Sequence, residues 1–244
     1  MVRERARPPS FLRAGLQDGA PVRAGAFRSW RWVAAAISAL ALCSPAAAQY
    51  RGGQAGDFDF YVLSLSWSPS YCASRSRPDE TQCGMGKRFG FVVHGLWPQY
   101  ERGFPSDCRV TGRNPTRAQV DAMLDIMPSP GLVRHQWRKH GTCSGLDPRS
   151  YFDAVRAAAG RVAVPEGLKN LDQERDVSPA EIERAFIDAN PGLKPAGIAV
   201  GCVGGDLQEV RICMSKNLSF RPCAEVDRRA CRASRVSMPA PGSQ

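Results

Sequence analysis

The chain reads as an α+β protein, with a central, mainly antiparallel sheet packed with helices and held by four disulfides. Three observations lead there. Strand-like segments lie towards both ends of the domain and helical ones in the middle, without the βαβ alternation that would signal a parallel sheet. Eight cysteines, an even number, follow a leader of the kind that directs export. The 196 residues beyond that leader suffice for one domain with its own core.

The leader covers residues 1–48. Residues 1–29 are Arg-rich and irregular, Trp30-Arg31-Trp32 leads into an apolar run from Val33 to Cys43, and Ala46-Ala47-Ala48 offers a small-residue cleavage site. This is the layout of a secretory signal peptide, with Gln49 as the first mature residue. Its basic part is long for such a leader, which is consistent with a natural start downstream of Met1. The apolar run is shorter than the ~20 residues of a membrane span and is followed by Pro45. Leu42 before Cys43 is too large for a lipid-modification site. The expected product is periplasmic or secreted, free of the membrane after cleavage. The leader carries seven Arg and two acids, so its removal lowers the formal charge from +10 by five, to +5, and leaves a modest attraction to polyanions.

A short extension, 49–56, precedes the domain proper at 57–231. Asp57 to Ser66 is aromatic and β-branched, partly alternating, and is expected as a strand stopped by Pro69. Arg88 to His94 is a second, apolar strand, with Gly95 and Pro98 as its breakers. Loop follows over 99–113. Asn114 and Pro115 have the look of an N-cap and first helical residue ahead of the stripe Val120, Met123, Leu124 and Met127. Leu132 to Thr142 is expected as a short helix. Asp147-Pro148 opens another, with Tyr151, Phe152, Val155 and Ala159 on one side. Ser178-Pro179-Ala180-Glu181 is a capping box for a helix through Ile182, Phe186 and Ile187 that ends before Pro191. Strands near Gly197 to Cys202 and Leu207 to Met214 close the domain. The tail, 232–244, contains Pro, Ser and Gly and is expected to be disordered.

All three histidines fall within 47 residues, in Phe91-Val-Val-His94-Gly-Leu-Trp97-Pro98 and His135-Gln136-Trp-Arg-Lys139-His140-Gly-Thr-Cys143. Histidine can give and take a proton near neutral pH. On a helix turning about 100° per residue, His135, Lys139, Gln136 and His140 share an arc of about 140°, which a solvated face would also produce. His94, at the end of an apolar strand, could equally be a buried structural histidine. Two histidines on different elements beside a lysine can together deprotonate a hydroxyl, protonate a leaving oxygen and neutralise a phosphorane without metal. Trp97 and Tyr100 could stack on a base. Zinc is disfavoured: His135 and His140 are five apart rather than four, no acid or thiolate adjoins them, and no cysteine pair has the two-residue spacing of a structural site. No cofactor is expected.

The two histidine segments resemble the two active-site segments of the ribonuclease T2 family. The similarity extends to Tyr61-Val-Leu-Ser-Leu-Ser-Trp67-Ser-Pro-Ser-Tyr-Cys72 and to the strands around Cys202 and Cys213, and so covers about 57–231. The resemblance implies an exported, monomeric endoribonuclease of low base specificity, acting on single-stranded RNA through a 2′,3′-cyclic phosphate and leaving DNA intact. It implies His140 as general base, His94 as general acid, and His135, Gln136 and Lys139 as phosphate and transition-state contacts. It places base-binding residues among Trp97, Gln99 and Tyr100. It also implies the pairs Cys72–Cys83, Cys108–Cys143, Cys202–Cys231 and Cys213–Cys223. One residue departs from the family pattern: Gln136 stands where a glutamate is usual. Losing that carboxylate should favour neutral His140 and alter the pH profile. A catalytically inactive RNA- or polyanion-binding relative is the alternative, supported by Gln136 alone.

Overall fold

The structure, a computed structural model, describes residues 49–109, 112, 114–169 and 171–242. The expected signal peptide lies outside them. In chain order the elements are β1 (Gln49–Arg51), β2 (Phe60–Trp67), α1 (Ser68–Ala73), α2 (Glu80–Cys83), β3 (Phe91–Gln99), β4 (Phe104–Ser106), α3 (Arg117–Asp121) and α4 (Pro130–Lys139). Then come α5 (Pro148–Gly160), α6 (Glu166–Lys169), β5 (Arg175–Val177), α7 (Pro179–Ala189), β6 (Ile198–Val203), β7 (Asp206–Met214), α8 (Ala224–Arg228) and β8 (Val236–Met238).

Six strands form one sheet in the order β3-β2-β7-β8-β5, with β6 also on β7. Four of its pairings are antiparallel, and only the single β7–β8 contact is parallel. β2 is buried throughout, and its alternation supplies two faces. Tyr61, Leu63, Leu65 and Trp67 join the main core with Trp137 of α4, Tyr151 of α5 and Phe186 of α7. Phe60 and Val62 face a smaller cluster with Cys213, Cys223 and Val226. The four disulfides pair the cysteines as the resemblance implied.

Four local expectations need correction. β3 does not stop at Gly95 but runs on to Gln99. It is an edge strand, where Pro98 sacrifices no ladder hydrogen bond. The helix after residue 113 is capped by Thr116, not Asn114: Thr116 and Gln119 form a reciprocal capping box. α4 begins at Pro130, capped by Ser129, and ends at Lys139, with a 3₁₀ turn over Gly141–Cys143. The tail expected to be disordered contains β8: Val236 and Met238 are buried, and Trp67 Nε1 donates to Pro239 O at 3.0 Å. Apolar residues two apart in a short segment are a weak local signal, and only the groove beside β5 and β7 makes them a strand. Other expectations hold: Asp147 caps α5, Ser178 opens α7 with the expected capping box, and β6 and β7 fall within a residue of their expected bounds.

Candidate active site

His94 owes its direction to a bulge. Ser64 pairs with Gly95 and Leu65 with Val93, so His94 is the extra residue in β3. A bulge interrupts strict alternation and re-aims the side chain. Val93 and Leu96, three apart, therefore both enter the main core, while His94 and Trp97, also three apart, lie on the other side. Tyr151 Oη donates to Leu96 O at 2.9 Å and ties this part of the strand to α5.

His140 sits just past α4 rather than within it. Its backbone (φ −121°, ψ −45°) has left the helix while its N–H still donates to Gln136 O. The Lys139 carbonyl at this helix end accepts from Asp107 N at 2.9 Å, beside the Cys108–Cys143 bridge. Gly141 permits the turn, because a Cβ there would lie 2.5 Å from the Trp137 ring and 2.9 Å from Tyr151.

These elements enclose a cleft of about 340 Å³. His94, Trp97, His135, Gln136, Lys139 and His140 line one part. Gln99, Phe104, Arg211, Glu225, Val226 and Arg229 line the rest. Of the residues expected in the site, only Tyr100 is absent from the cleft. It packs against the main core at the β3–β4 loop, where its N–H donates to Gly103 O.

Trp97 stands between the two histidines. Its ring meets His94 edge-on at 5.2 Å and stacks on His140 at 5.3 Å with a 27° tilt. Gln136, only 1% exposed, accepts from Trp97 Nε1 at 2.8 Å. Gly95 makes room for that contact: a Cβ there would fall 2.0 Å from Gln136 Oε1. The Gln136 carbonyl oxygen thus orients Trp97 rather than facing the cleft.

The histidines differ in setting. His140 is buried, and burial, with Lys139, His94 and His135 adding like charge, holds its pKa well below the ordinary histidine value. Its Nδ1 is buried and has no hydrogen-bond partner among the described residues. His135 reaches solvent, yet partial burial and then Lys139 and Arg138 also lower its pKa. His94 is over a third exposed, and its Nδ1 lies 3.1 Å from Glu209 Oε2.

Glu209 escaped the sequence reading, as did Arg211. Both belong to β7 and point away from the main core. Glu209 Oε2 also accepts from Ser64 Oγ at 2.6 Å, and Oε1 accepts from Arg211 Nε at 2.8 Å. Burial acts to raise the carboxyl pKa, but His94, Arg211 and Ser64 outweigh it and bring it down to about 2. The available signal was a pair of opposite charges two apart in one strand, which places both on one face.

On this α+β scaffold, β3 and the end of α4 bring three histidines, a lysine and a tryptophan into one cleft. A family model, Ribonuclease T2 family, matches residues 58–223, and the chain belongs to that family. It is 50% identical over 118 residues to a ribonuclease of Aeromonas hydrophila, a match covering 46% of this chain and 53% of that one, so it spans about half of that relative's length. It is 29% identical over 230 residues to Ribonuclease DdI of Dictyostelium discoideum, covering 84% and 96%. Among solved structures, an RNase-related protein from Calystegia sepium superposes with a TM-score of 0.61 at 22% identity, over 75% of this chain and 97% of the other, and shares the fold.

Proposed function

We propose that this protein is an exported, monomeric endoribonuclease that cleaves single-stranded RNA with little base specificity. The 2′-hydroxyl attacks the adjacent phosphorus, the P–O5′ bond breaks, and a 2′,3′-cyclic phosphate forms before slower hydrolysis. His140 takes the 2′ proton and His94 delivers one to the departing 5′-oxygen. Lys139 and His135 bear the phosphate and the charge of the phosphorane. Gln136 contributes through Trp97, whose Nε1 hydrogen its carbonyl oxygen accepts, and its amide nitrogen remains for a phosphate oxygen. Trp97 and Gln99 adjoin the base. No metal takes part, and DNA, which lacks the nucleophile, is spared.

The observation that carries this reading is the opposed environment of the two histidines. A proton acceptor must be neutral before the reaction, and burial beside a cation keeps His140 so. With Nδ1 buried, Nε2 is the nitrogen of His140 left to reach substrate. A proton donor must hold its proton, and His94 has a carboxylate against Nδ1.

Mature protein incubated with RNA and excess EDTA tests the proposal. Products with cyclic-phosphate ends, absent with His140→Ala and absent from single-stranded DNA, are expected. Binding without cleavage would instead leave the inactive RNA-binding relative, and loss of cleavage in EDTA would require a metal.

A further inference from the structure

We propose that Glu209 is a positioning residue for His94, fixing the ring's orientation and keeping the hydrogen on Nδ1, so that Nε2 is the nitrogen that delivers the proton. The inference rests on the ribonuclease reading above and on His94 as the donor within it.

The geometry leaves little choice of hydrogen-bond roles. The Glu209 carboxylate is buried, and Ser64 and Arg211 already donate to it. Held ionised down to about pH 2, it can only accept. The hydrogen in the 3.1 Å contact therefore belongs to His94 Nδ1. A second hydrogen bond on one ring nitrogen selects the tautomer and holds the ring's plane. His94 needs that support more than most strand residues, because a bulged position lacks the close ladder neighbours that would otherwise confine it. Trp97 meets the ring edge-on from the same strand. The charged groups around His94 are Glu209 and Arg211 on β7, and His135, Lys139 and His140 at the end of α4. Among them Glu209 is the one carboxylate bonded to the ring.

Ser64 and Arg211 serve the carboxylate in turn. Each engages an oxygen, and together they fix the direction in which Oε2 faces His94. In the step itself, the P–O5′ bond breaks as the Nε2 proton passes to O5′, and the 2′-hydroxyl proton passes to His140. Glu209 neither gains nor loses a proton.

The test compares two substrates: a dinucleoside monophosphate, whose 5′-oxygen needs a proton to leave, and a nucleoside 3′-(p-nitrophenyl phosphate), whose phenolate does not. Glu209→Gln is expected to lower kcat on the first by about 10- to 100-fold with KM little changed. On the second the loss should shrink to a few-fold. In the wild-type protein, ¹⁵N shifts of the His94 ring should show the neutral form protonated on Nδ1, a measurement that needs no variant. A kcat loss equal on both substrates, unchanged kcat in a folded variant, or an Nε2–H tautomer would each overturn the inference. Wild-type protein that cleaves neither substrate would overturn the ribonuclease reading and the inference together.

Discussion

Gln136 stands where the resemblance leads one to expect a glutamate, and its surroundings say what a carboxylate there would do. The side chain is buried, its oxygen holds Trp97 Nε1, and Trp97 in turn stacks on His140. A carboxylate here would stabilise the protonated form of His140. The sign follows: Gln136→Glu raises the His140 pKa from its depressed value, and the acid limb of kcat/KM moves to higher pH, by roughly one unit. A pH–rate profile whose acid limb stays in place would show that the two side chains do not couple. Gly95 is as constrained as the groups it touches. Gly95→Ala would drive a methyl into Gln136 Oε1 and displace Trp97, and a misplacement of about 1 Å costs on the order of 100-fold in kcat. Steady-state kinetics beside a circular dichroism spectrum separates that loss from unfolding.

At the scale of elements, the site depends on how segments are pinned together. His140 lies beyond the last residue of α4, so the helix alone does not position it. The Asp107–Lys139 backbone hydrogen bond and the Cys108–Cys143 disulfide hold that turn against the β4 segment. The bridge closes a loop of 35 residues, for which chain entropy predicts a loss of about 4 kcal/mol on removal. Cys108→Ala/Cys143→Ala is expected to lower the unfolding free energy, read by chemical denaturation, by that order and to reduce kcat more than KM rises. β8 makes a second test. Were the tail disordered, truncation after Ser234 would be silent. Burial of Val236 and Met238 instead predicts a loss of about 3–6 kcal/mol, read as a fall in Tm.

Over the whole molecule, the buried titrating groups set how stability varies with pH. Folded Glu209 stays ionised down to about pH 2, whereas its ordinary value is 4.5. Its contribution is complete above 4.5 and is lost as pH falls from there to about 2. His140 acts in the same direction at higher pH. It remains neutral in the folded protein well below 6.5, so acidification past 6.5 favours the unfolded chain, which takes up the proton more readily. Chemical denaturation against pH should therefore show stability declining below 6.5 and again below 4.5. In Glu209→Gln the second decline should be smaller, by on the order of 3 kcal/mol.

The amino-acid sequence by itself determined the α+β class, the Ser178 capping box, and the two segments that carry His94 and His140. Those features are written in local spacing: alternation, caps, and short runs of unusual residues. The disulfide pairs were legible only through the family resemblance, because an even count of cysteines leaves their partners open. Tertiary structure alone decided the rest. A single bulged residue puts His94 and Trp97 on the cleft side, and a bulge leaves no mark in a pattern of apolar residues. Glu209 became His94's partner across 115 positions, and Gln136 became Trp97's across 39. The tail became a strand because a groove was waiting for it. Hydrogen-bond partners and burial are set by what the chain brings back from far away, so the residues of this site could be read from spacing, but their roles towards one another could not.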